Sequence, residues 1–300
     1  MRARVPGYAF ARLIARRASA RHFHCVRTLR CLARDYPVAV FVLVTFAWTW
    51  TIDFTLRASL GAQPSESNHG RWMSVLIVGI YGPSVGAIVT AGLRGGWRAV
   101  ALLARRLLPW RVSAIWCLGA FALPVWIDVV AVAIYSCRGG TTGPFVAPNA
   151  LATLTYLGIK LTRGPLGEEL GWRGFALPVF QTRYNALTSS LLVGVLWFLW
   201  HLPIVWMAGT FISGPSVGID QLVWFALLLM CFSILETWVV NHTGGSVVPA
   251  VLMHGALNSV VPLLFFPELP GAAARSIVYL SAVPAVCCAL AVSAATSSRD

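Results

Sequence analysis

An all-α, polytopic transmembrane bundle is the fold class predicted by this 300-residue sequence, and three observations predict it. Hydrophobic residues make up 58% and charged residues 11%, against the ~25% charged content usual for soluble domains. Apolar runs of about 20 residues, long enough to cross ~30 Å of hydrocarbon, recur along the chain. Arginines cluster between these runs, and short arginine-rich segments mark the cytoplasmic side of a membrane protein.

The elements follow in order. Residues 1–36 form a basic N-terminal arm, with Arg2, Arg4, Arg12, Arg16, Arg17, Arg21, Arg27, Arg30 and Arg34 against the single acid Asp35. An amphipathic helix and a disordered segment fit this composition equally, whereas a cleaved signal peptide does not. Eight spans are expected within a transmembrane domain at 37–296: roughly 38–57, 73–93, 113–136, 150–181, 186–206, 219–240, 247–266 and 276–295. The fourth is over-long and interrupted at Gly164-Pro165, and 297–300 is a short tail. Polar connections separate them at Gly61 to His69, Gly139 to Asn149 and Asn241 to Ser246. Arg94, Arg98, Arg105, Arg106 and Arg111 follow the second span without an acid, so both termini are expected in the cytoplasm of a plasma-membrane protein. The net charge of +13 then reflects topology and the lipid surface, and no nucleic-acid partner is expected. Seven scattered cysteines without a C-x-x-C pair read as buried apolar residues. No internal repeat supports an inverted-repeat transporter.

Charge inside such a chain is costly, at about 2.5–3.5 kcal/mol per residue near the bilayer centre, so intramembrane charges are functional candidates. Gly164-Pro165-Leu166-Gly167-Glu168-Glu169-Leu170-Gly171-Trp172-Arg173 concentrates them. On a helix Glu169 and Arg173 stand four apart with the acid first, which favours an ion pair. Glu168 lies about 100° round the helix and is left to face a cavity. Asp53 lies within a turn of Arg57, and Glu236 stands near the end of its span, so both are expected to be solvated or locally paired. Asp128, amid apolar neighbours, is expected to face the bundle interior. Two histidines lie deep in spans: His201, preceded by Trp197, and His254, which shares a helix face with Asn258. Two carboxylates, an arginine, two histidines and an asparagine on three helices suggest one converged site. On straight helices, however, His201 and His254 would differ in depth by roughly 10 Å.

Glu168-Glu169-x-x-x-Arg173, then His201 behind aromatics, then His254-x-x-x-Asn258 resembles the three motifs of the CAAX prenyl protease and bacteriocin-processing (CPBP, or Abi) family of intramembrane endopeptidases. The resemblance covers about 150–266. It departs at Trp197, where the family's F-x-x-x-H motif carries phenylalanine. The resemblance implies that Glu168 activates a water held with the help of His201, and that His254 and Asn258 stabilise the oxyanion. Glu169, Arg173 and Trp197 would support the site. It implies a membrane-associated peptide or protein as substrate. It leaves open whether the mechanism is metal-free or uses zinc held by Glu168, His201 and His254; the absence of H-E-x-x-H favours the former. Two other functions compete: a non-catalytic scaffold or immunity protein of the same fold, and a proton-coupled transporter using the buried acids as a relay.

Overall fold

Helix follows apolar sequence through most of the described residues in a computed structural model, which describes residues 29–61, 64–108, 112–147, 149–205, 218–259, 276–278 and 280–297. A short helix α1 (Leu29–Asp35) leads into α2 (Pro37–Leu60), which Pro37 starts at a position where its missing N–H costs nothing. Helices α3 (His69–Ile80) and α4 (Gly82–Ala104) meet at Tyr81, and a one-turn 3₁₀ segment (Arg105–Leu107) extends α4. Then come α5 (Ala114–Cys137), α6 (Ala150–Thr162) and α7 (Pro165–Gly171), a π-helical turn (Trp172–Ala176), and α8 (Leu177–Phe180). The remainder is α9 (Ala186–Trp200), α10 (Leu202–Val205), α11 (Ile219–His242), α12 (Val248–Asn258) and α13 (Ala282–Ser297).

Among the described residues, five helical stretches are long and apolar enough to cross a membrane: Pro37–Leu60, His69–Leu107, Ala114–Cys137, Ile219–His242 and Ser276–Ser293. The other three expected spans take shorter forms. The segment expected at 150–181 divides into α6, α7, the π turn and α8, because Gly164 and Pro165 interrupt the helical path. The segment at 186–206 yields the 15-residue α9 and the short α10. The one at 247–266 is helical through Asn258, and 260–266 lie outside the described residues, as do residues 1–28 of the N-terminal arm and the tail from 298.

The polarity of the bundle suits a lipid solvent. Leu43, Trp97, Ile115, Leu118, Leu154 and Ile219 are exposed, whereas Thr45, Thr49, Asp53, Asp128, Ser233 and Glu236 are buried. With no hydrophobic drive between helices in lipid, interhelical hydrogen bonds and close packing hold the helices together. Thr49 Oγ1 donates to the Gly79 carbonyl at 2.7 Å and accepts from Trp200 Nε1 at 2.9 Å, joining α2, α3 and α9. Ser233 Oγ donates to the Ser190 carbonyl at 2.7 Å, joining α11 to α9. Helix α11 is apolar on all sides, the pattern of a buried helix. It packs along α9 and α13, while α4 is sandwiched between α2 and α7, and α12 leans on α5.

The arginines after the second span do more than mark a side. Arg94 Nη1 donates to the Ala33 and Arg34 carbonyls at 2.7 and 3.0 Å, which brings the end of the N-terminal arm beside α4. Arg106 reaches inward, its Nε to the Gly245 carbonyl at 2.7 Å and its Nη1 to the Gly174 carbonyl at 2.5 Å. It thereby ties the turn before α12 to the π turn after α7, the two segments that present the candidate site.

Candidate active site

Helix α7 carries the double glutamate and lies close against α4. A Cβ at Gly171 would run into the carbonyl of Pro83, and one at Gly167 would meet the Tyr81 ring at 3.0 Å. The missing side chains let α7 dock with this glycine face on α4 while both carboxylates turn inward. Tyr81 fixes the preceding segment as well, donating from its hydroxyl to the Thr162 carbonyl at 2.9 Å. Beyond α7 the backbone widens into the π turn, a form that concentrates at functional sites and leaves ladder carbonyls in need of donors. Arg106 supplies one, at Gly174.

The expected pair forms: Arg173 Nη1 donates to Glu169 Oε1 at 2.9 Å, with both side chains fully buried. Glu236 departs from expectation. It is also fully buried, and its Oε2 pairs with Arg173 Nη2 across from α11, so it is neither solvated nor matched within its own helix. One carboxylate leaves the other arm of a buried guanidinium without an acceptor, and a second, on α11, faces that arm. The signal in the sequence was the polar cluster Ser233, Glu236 and Thr237 inside an apolar run. The indole ring of Trp197 covers the guanidinium, 4.5 Å from its carbon, in a cation–π contact.

Glu169 has a second task that its spacing to Arg173 did not disclose. His254 Nδ1 lies 2.8 Å from the same Oε1. An ionised carboxylate only accepts, so the proton of this contact sits on Nδ1, and Nε2 is the nitrogen left for other chemistry. That nitrogen lies 4.0 Å from Glu168 Oε1. An oxygen atom off the line between them reaches both at ordinary hydrogen-bond lengths. The other oxygen of Glu168 accepts from Trp197 Nε1 at 2.8 Å. Tryptophan at this position therefore adds a donor that phenylalanine lacks.

Glu168, His201, His254 and Asn258 line one cavity of about 330 Å³. Trp197 stands between the two histidines, its ring 5.0 Å from the His254 ring and 6.0 Å from that of His201, which follows the last residue of α9. His201 is half-buried, with Nδ1 2.8 Å from the Trp197 carbonyl and its ring edge-on to Phe225 at 5.3 Å. Most of the cavity wall is apolar, and Trp72, Leu76, Ile159 and Leu228 contribute to it. Asp128 faces the interior as expected, accepting from Ser281 Oγ at 3.1 Å. Asp53 is 4% exposed and lines the same cavity, so the solvated reading of that residue is overturned.

The zinc alternative meets a different arrangement. Among the described residues, the acid and histidine atoms that come within 4.8 Å of one another belong to Glu169, Glu236 and His254, a different set from Glu168, His201 and His254. Arg173 pairs with both carboxylates of that set and supplies the positive charge a metal would bring. The residues present do not fit a zinc centre, and the chemistry below uses none.

Gly164 sets the spacing behind Asn258 and Glu168. Its φ of +147° belongs to glycine, and a Cβ there would stand 3.1 Å from Asn258 Nδ2 and 3.4 Å from Glu168 Oε1. Gly164→Ala is expected to cost about 1–3 kcal/mol of stability through backbone strain, and to lower the turnover of the folded fraction because the added methyl crowds both side chains. Thermal unfolding and single-turnover cleavage of one preparation check this; wild-type turnover per folded molecule would show that the glycine serves the fold alone.

The family model described as type II CAAX prenyl endopeptidase, Rce1-like, matches residues 150–260. Over 95 residues the chain is 32% identical to the protein named CAAX prenyl protease 2 from Methanococcus maripaludis. That similarity takes in 30% of this chain and 34% of the archaeal protein, so the match spans about a third of the relative's length. The family match takes in α6 through α12, the stretch within which every residue of the three motifs lies.

Proposed function

On the premise that residues 150–260 are a CPBP-family segment, we propose that this integral membrane protein is an endopeptidase that hydrolyses a peptide bond of a membrane-associated substrate inside its helix bundle. The observation that carries this reading is the approach of Glu168 Oε1 to His254 Nε2, 4.0 Å apart at the wall of a cavity that Asn258 and His201 also line. Glu168 takes a proton from a water that His201 helps to hold, and the resulting hydroxide attacks the peptide carbonyl carbon. The carbonyl oxygen becomes an oxyanion within reach of Asn258 Nδ2–H and His254 Nε2–H. Because Glu169 fixes a proton on Nδ1, His254 donates from Nε2 as the imidazolium, whose charge balances part of the excess of three carboxylates over one guanidinium. Collapse breaks the C–N bond, and Glu168 returns its proton to the leaving amine.

The relative's name makes a prenylated C-terminal peptide the first substrate class to try. The arginine-rich end of α4 and the segment before α2 are placed on the cytoplasmic side in this reading, where such peptides are met. The test is cleavage by the purified chain in liposomes of a quenched reporter peptide carrying a farnesylated C-terminus. Cleavage is expected, and Asn258→Ala is expected to lower kcat by about 10²–10³ with little change in reporter binding. A reporter left intact by wild-type protein that binds it, or full turnover by Asn258→Ala, would overturn the mechanism.

A further inference from the structure

Away from the catalytic group, the cavity wall carries a carboxylate that the hydrolysis does not use. Asp53 on α2 is 4% exposed, and its Oδ1 has no hydrogen-bond partner among the described residues. The acid faces Gly79, where a Cβ would stand 3.2 Å from Oδ1, and the surrounding cavity wall is built from Trp72, Met73, Leu76 and Ile204. Asp128, another acid lining the cavity, differs in having the Ser281 hydroxyl on its Oδ1. A buried carboxylate oxygen in apolar surroundings without a donor is expensive, and such groups persist where something that binds them brings the missing charge.

Its place along the cavity is defined by the helix. Thr49, one turn before Asp53, receives the Trp200 indole N–H at 2.9 Å, and Trp200 adjoins His201. Asp53 therefore stands about 6 Å along α2 from the level of the water-holding histidine. An extended peptide advances about 3.3–3.6 Å per residue, so this interval is about two residues.

We propose that Asp53 is a cation-accepting subsite of the cavity, binding the ammonium or guanidinium group of a substrate side chain about two residues from the scissile bond. This specificity rests on the endopeptidase reading. The apolar wall suits such a side chain, whose methylene stem packs on Trp72 and Leu76 while its head meets the carboxylate. Lys160 on α6 and Arg163 just beyond its end line the cavity, and their charge directs a peptide cation toward α2 instead.

The test uses full-length protein in liposomes and a set of farnesylated ten-residue peptides, each with one lysine, or norleucine of the same length without the charge, at successive positions on either side of the cleaved bond. Binding is measured on Glu168→Gln, with and without Asp53→Asn, and cleavage on wild type and Asp53→Asn. One lysine position is expected to bind about tenfold to a hundredfold more tightly than its norleucine counterpart, the span expected of a charge-assisted hydrogen bond. Asp53→Asn should abolish that preference while leaving the norleucine peptides and the melting temperature unchanged. Equal binding of lysine and norleucine at every position, or a preference that survives Asp53→Asn, overturns the subsite whether or not cleavage occurs. An Asp53-dependent preference in binding with no cleavage by wild type keeps the subsite and instead removes the endopeptidase reading.

Discussion

Glu168→Gln is expected to abolish peptide cleavage and leave the fold intact. Glutamine keeps the shape, and its side-chain carbonyl can still accept the Trp197 indole proton that now reaches Glu168 Oε2 at 2.8 Å. What disappears is the proton acceptor facing His254 and a charge that is 4% exposed. General-base catalysis is worth about 10²–10⁴, so residual turnover should fall to about 1% of wild type or below, with a melting temperature equal to or above it. Turnover and thermal unfolding are to be read from one purified preparation. Wild-type turnover in Glu168→Gln would remove the mechanism, and a large fall in melting temperature would make Glu168 a structural residue. Exhaustive chelation is expected to leave wild-type turnover unchanged, because the carboxylates that converge with His254 are held by Arg173. Activity lost on chelation and regained with zinc would move the reading to a metal mechanism.

Much of this site was legible from local rules, since composition announced the bundle and the i, i+4 rule found the Glu169–Arg173 pair. The contacts that sequence spacing could not give are those between helices. Nothing in the interval between Glu169 and His254 says that they bond, and nothing in the run 219–240 says that Glu236 turns toward Arg173 instead of solvent. Those contacts follow from how α7 sits, and that depends on Gly167 and Gly171 lying flush on α4. The span count was limited for a related reason. A length rule recognises the helices that cross unbroken, whereas the segments that build the site are short and broken by Gly164, Pro165 and Pro203. Broken helices at membrane depth are tolerated where protein or a cavity surrounds them. Trp197 could be read as a conservative departure from phenylalanine, but its indole N–H acquired a role only once Glu168 was seen beside it.

The two acids that hold Arg173 should part company when each is neutralised. Glu236→Gln removes one of two carboxylates from a fully buried guanidinium, and breaking a buried pair in this way typically costs about 3–5 kcal/mol. Glu236 stands behind His254 and is not among the residues that line the cavity, so the molecules that remain folded should turn over at close to the wild-type rate. Glu169→Gln should cost a similar amount of stability and, in addition, catalysis. Its Oε1 receives both Arg173 Nη1 and His254 Nδ1, so losing the carboxylate removes the charge that keeps His254 an imidazolium and the acceptor that aims Nε2 at the oxyanion. Turnover per folded molecule is therefore expected to fall by about 10²–10³ in Glu169→Gln, the penalty for losing an oxyanion donor. The measurement is single-turnover cleavage normalised to the folded fraction, taken below the melting temperature of each variant. Equal normalised turnover in the two variants would mean that Glu169 serves Arg173 alone and that the bond to His254 has no part in the chemistry.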